Sequence, residues 1–80
     1  MTTIKQAAHI ELRLHVHSQL MEVFMLQCGV DRDEASVLAY GRMKDWSAAR
    51  SRKVKSYINN GFFDHCHNPQ NVAHVLDEIA

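Results

Sequence analysis

The sequence predicts an all-α domain, and three observations carry that expectation. Apolar residues in the first third recur at alternating steps of three and four, the period of a helix and not of a strand. Gly29 and Gly61 stand directly after such stretches, where helices stop. No segment alternates apolar and polar residues for long between turn signals, so no strand is expected.

The first helix is expected over residues 3–28, ending at Gly29. Ala7, Ile10, Leu14, His17, Met21, Phe24 and Cys28 follow a 3-4-3-4-3-4 spacing, the seam of an antiparallel helix pair or coiled coil. Ala8, Leu12, Val16, Leu20, Val23 and Leu26 gather on roughly the opposite side. A second helical stretch is expected over 32–59. Asp31 is its cap, and Glu34 three residues on completes a capping-box-like pattern. Acids in that first turn also suit the helix dipole. Asp45 or Ser47 offers a fresh cap, so a break near 45–47 is the alternative to one continuous helix. In the loop "GFFDHCH", Phe62 and Phe63 are expected to plug the core. The last helix is expected over 69–80, with Asn68 as cap, Pro69 in the first turn and an apolar stripe of Val72, Val75, Leu76 and Ile79.

Eighty residues make one small domain, 1–80. A chain of this size buries only about 60% of its unfolded surface and has little stability to spare. Nine basic and nine acidic residues leave a formal net charge of zero, which argues against binding nucleic acid by bulk charge. No apolar run is long enough for a bilayer, and the N-terminus lacks the pattern of a secretion signal. A cytoplasmic location is the expectation. Cys28 and Cys66 read as buried thiols in a reducing compartment, with a bridge between them the lesser reading.

Six histidines are an unusual number for this length, and "DHCH" at 64–67 gathers four possible ligands. Adjacent ligands do not all reach one tetrahedral ion, and neither C-x-x-C nor H-x-x-x-H spacing occurs, so no metal or other cofactor is expected. Cys66 beside two histidines lacks an orienting third group, and no phosphate-cradling glycine loop is present, so no catalytic residue is assigned and no enzyme is expected.

The informative feature is surplus apolar surface. A helix apolar on two sides must be covered on both, and each large side chain left wet forgoes about 1.5–3 kcal/mol. The expected assembly is therefore an intertwined or side-by-side homodimer. Its seam is Ile10, Leu14, His17, Met21 and Phe24, and His17 would make assembly sensitive to mildly acidic pH. A protein partner is expected on the other face, at Leu12, Val16 and Leu20, and on the strip of Trp46, Arg50, Lys53 and Tyr57. Surplus apolar surface on a small neutral chain suits a regulator that occupies another protein, as an inhibitor, antirepressor or adaptor does. The alternative is a nucleic-acid-binding regulator using Arg42, Lys44, Arg50, Arg52, Lys53 and Lys55. A helix-turn-helix fits poorly, since Arg42 and Arg50 fall where that unit wants apolar residues.

Overall fold

The computed structural model describes residues 4–79, and every element among them is helical. Helix α1 runs Ile4–Cys28, α2 Arg32–Met43, α3 Ala48–Asn59 and α4 Pro69–Glu78. Residues 3 and 80, the expected outer helix limits, lie outside the described residues, as does the side chain of Ala7. Twenty-five residues at 1.5 Å each make α1 about 37 Å long, nearly the molecule's 40 Å longest extent. It is the spine against which α2 and α3 pack, and α4 meets it only lightly.

Local chemistry sets the helix limits. At the end of α1, Gly29 takes φ 70°, a left-handed turn that favours glycine. The amide of Gly29 donates to the Met25 carbonyl and that of Val30 to the Phe24 carbonyl, closing the helix end. Asp31 caps α2 by accepting the Glu34 amide at 2.8 Å. The second helical stretch is two helices, and the cap between them is Ser47, whose Oγ accepts the Arg50 amide at 3.1 Å. Asn68 caps α4 by accepting the Asn71 amide, with Pro69 following. The last helix ends at Glu78, short of the expected residue 80. Ile79 leaves helical geometry (ψ 86°) and its side chain is buried in the core.

The core is built from Val16, Leu20, Val23 and Phe24 of α1, Ala35, Ala39 and Met43 of α2, Val54 of α3, and Val72 and Leu76 of α4, with Trp46, Phe63, Cys66 and Ile79 from the connections. Ala35 and Ala39 lie one turn apart on α2, and their small side chains let α2 approach α1 closely. Ser51 is the buried polar residue of the core, and its hydroxyl donates to the Ser47 carbonyl at 3.0 Å. Of the two expected plugs, Phe63 is buried and Phe62 is exposed, its ring set edge-on to Tyr57 at 4.6 Å between centroids. Adjacent residues in a tight turn point in different directions, so one fills the core and the other faces solvent.

Candidate interaction surface

The two apolar faces of α1 meet different fates. Val16 and Leu20, expected to receive a partner, are fully buried, and Leu12 is half-buried against them. They are the core-facing side of the spine, because α2 and α3 close over that side together. Val16 and Leu20 are therefore closed to a partner, while Leu12 also lines a recess with Ala8, His9, Ala48 and Arg52.

The expected seam divides along its length. Phe24 is buried in the core, and Met21 and His17 are half-buried. Ile10 and Leu14 stay outside, 52% and 63% exposed. The reason is angular: at about 100° per residue, Leu14 points about 120° away from Leu20. Phe24 lies closer to the buried direction, so the core takes it and the seam's N-terminal half is left over.

Helix α2 adds to what is left. Tyr40 is 63% exposed and Val37, one turn earlier, 71%. Between the two helices lies a groove of about 290 Å³ lined by Ile10, Arg13, Leu14, His17, Tyr40 and Met43. Its floor is braced by polar contacts. Arg13 donates to the carbonyls of Met43 (3.0 Å) and Trp46 (3.1 Å), satisfying acceptors where α2 ends. His17, with its proton on Nε2, donates to the Ser36 carbonyl at 3.2 Å. The cation and the imidazole therefore face backbone oxygens and hold α1 to α2, while the apolar rims face outward.

The strip from Trp46 to Tyr57 is not one open surface. Trp46 is only 8% exposed and belongs to the core, a correction to its expected role. Arg50 lies over its ring at 5.5 Å and donates to the Leu76 carbonyl at 2.9 Å, where α4 ends. The guanidinium is half-buried because it caps another helix. Tyr57 is half-buried, and Arg52 and Lys53 are exposed beside it, with Lys55 half-buried. Arg42 pairs with Asp77 at 3.2 Å and Lys44 is exposed. Arg42 and Arg50, both named for nucleic acid, are thus engaged within the fold.

In comparisons with family models, curated proteins and solved structures, nothing matches this chain. In the 64–67 loop, Cys66 is buried while Asp64, His65 and His67 are exposed. Among the described residues no group of three or more histidine, cysteine or acidic side chains converges as a metal site. Both cysteines are free thiols. Burial pushes the Cys66 thiol above its ordinary value. Burial does the same to Cys28, and the nearby Cys66 adds to it. Among the described residues no helix is long and apolar enough to cross a membrane.

Sequence reasoning missed Arg13, Val37 and Tyr40. The last two carried a readable signal: they lie at i and i+3 on α2, off the Ala35–Ala39 stripe that any neighbour must cover. Arg13 carried none, since its acceptors lie 30 and 33 residues away.

Proposed function

We propose that this chain is a small protein-interaction module that works as a homodimer. A second copy covers the groove between α1 and α2. The observation that carries the reading is the adjacency of Ile10, Leu14 and Tyr40, each more than half exposed, around one apolar groove. Scattered exposed apolar residues are ordinary, but a cluster rimming a groove marks an interaction site. With Val37, these four side chains forgo roughly 3–6 kcal/mol, half the value of full burial. That is comparable to the whole stability of a domain this small, about 5 kcal/mol.

A second copy is the occupant favoured on two grounds. One patch can serve both copies, because a two-fold interface joins the same surface on each. The formal net charge of zero removes long-range repulsion between copies. In such a dimer the outer side of α3 stays open. Arg52, Lys53 and the Tyr57–Phe62 pair would there meet an acidic protein partner, in the manner of an inhibitor, antirepressor or adaptor in the cytoplasm. The nucleic-acid reading ranks second, because Arg42 and Arg50 are spent internally and Trp46 offers no open stacking face.

Leu14→Glu is the direct test, with light scattering as the readout. The exposed position tolerates the charge in the monomer, so the variant is expected to remain folded and to run at half the wild-type mass. Equal masses for a folded variant and the wild type would remove the groove from the interface. A gel shift at two salt concentrations separates the second reading, since phosphate binding weakens steeply with salt.

A further inference from the structure

We propose that Cys28 and Cys66 are a reversible thiol–disulfide pair that fastens the end of α1 to the loop entering α4. Cys28 is the last residue of α1, and its Sγ–H donates to the Cys66 carbonyl oxygen at 3.7 Å. That oxygen lies about 2.4 Å from its own Cα, which places the Cys28 sulfur no more than about 6 Å from the Cys66 Cα. Forming the bridge then requires rotation of the two side chains toward each other. Both backbones are anchored there: Cys28 by the hydrogen-bonded turn at Gly29, and Cys66 by its amide bond to the Phe63 carbonyl at 3.0 Å. The perturbation of the Cys28 thiol by Cys66 is a second sign that the two sulfurs are neighbours.

The two thiols differ in access, and that sets the order of events. Cys28 is half-buried and Cys66 is buried. Under an oxidising load carried by a small-molecule disulfide, the Cys28 thiolate attacks one of its sulfurs and releases one small thiolate, which takes up the proton Cys28 lost. The Cys66 thiolate then attacks the Cys28 sulfur of the mixed disulfide and expels the second small thiolate, which takes the proton of Cys66. Two protein thiols are oxidised by two electrons, and the small disulfide is reduced to two thiols. Raised thiol values make the pair slow at neutral pH, which suits a response to sustained oxidation. The pair lies apart from the α1–α2 groove, so this proposal stands or falls separately from dimerisation.

The test uses the full reduced chain, treated with oxidised glutathione at mildly alkaline pH and followed by intact mass and non-reducing electrophoresis. The wild type is expected to lose two hydrogen masses, keep no adduct and form no covalent dimer. Closing a loop between residues 38 apart should raise the melting midpoint by on the order of 10 °C, reversed by dithiothreitol. Cys66→Ser should retain one glutathione, on Cys28. A wild type that keeps glutathione on either cysteine, links chain to chain or does not react would overturn the proposal. Should the variant not fold, the wild-type mass alone decides.

Discussion

At the scale of single residues, two leucines six positions apart separate stability from association. Leu20 is fully buried and Leu14 is mostly exposed. Leu20→Ala should cost about 2–5 kcal/mol of unfolding free energy through lost transfer and a cavity. Leu14→Ala should stay within about 0.5 kcal/mol when measured on the monomer at low concentration, while weakening association. Denaturant titration of both variants checks the contrast. The two thiols add a pH dependence. Their folded values lie above the ordinary 9.0, so the folded state holds these protons more tightly than the unfolded chain does. Their contribution is complete below 9.0 and is lost as pH rises through the folded values. Under reductant, the denaturation midpoint should fall above about pH 9, and Cys28→Ala should flatten that fall.

At the scale of elements, caps were legible and coverage was not. Asp31, Ser47 and Asn68 act on amides three residues away, so their chemistry is written locally. The positive φ at Gly29 and Gly61 is equally local. At Gly61 a Cβ would also sit 2.7 Å from the Asp64 carboxylate, which makes alanine there costly. What fills each helix face depends instead on residues far along the chain. Arg13 and Arg50 each reach about thirty residues to satisfy a carbonyl of another helix, and no local pattern announces that. The place of Trp46 in the core likewise follows from the turn between α2 and α3. Ser47→Ala removes the cap that makes this turn and should destabilise by about 1 kcal/mol. Ser47→Asp, which restores a side-chain acceptor, should recover most of the loss. Thermal melts of the two variants test the assignment.

At the scale of the whole molecule, the excess apolar surface expected from the sequence is real but smaller and differently placed. The chain covers Val16, Leu20 and Phe24 itself and leaves Ile10, Leu14 and, near the far end of α1, Leu26 outside, with Val37 and Tyr40 exposed on α2. Periodicity identified both faces of α1. Choosing the covered one required knowing that α2 and α3 lie on the same side of the spine, which is a property of their connection and not of any stripe. Ile10, Leu14 and Tyr40 line one groove, on a chain of zero formal charge. Sedimentation equilibrium of the wild-type chain at tens of micromolar tests the groove's role most directly. The expected result is a reversible monomer–dimer equilibrium, with a dissociation constant on the order of 10 μM or tighter. A monomer throughout that range would contradict self-association through the groove.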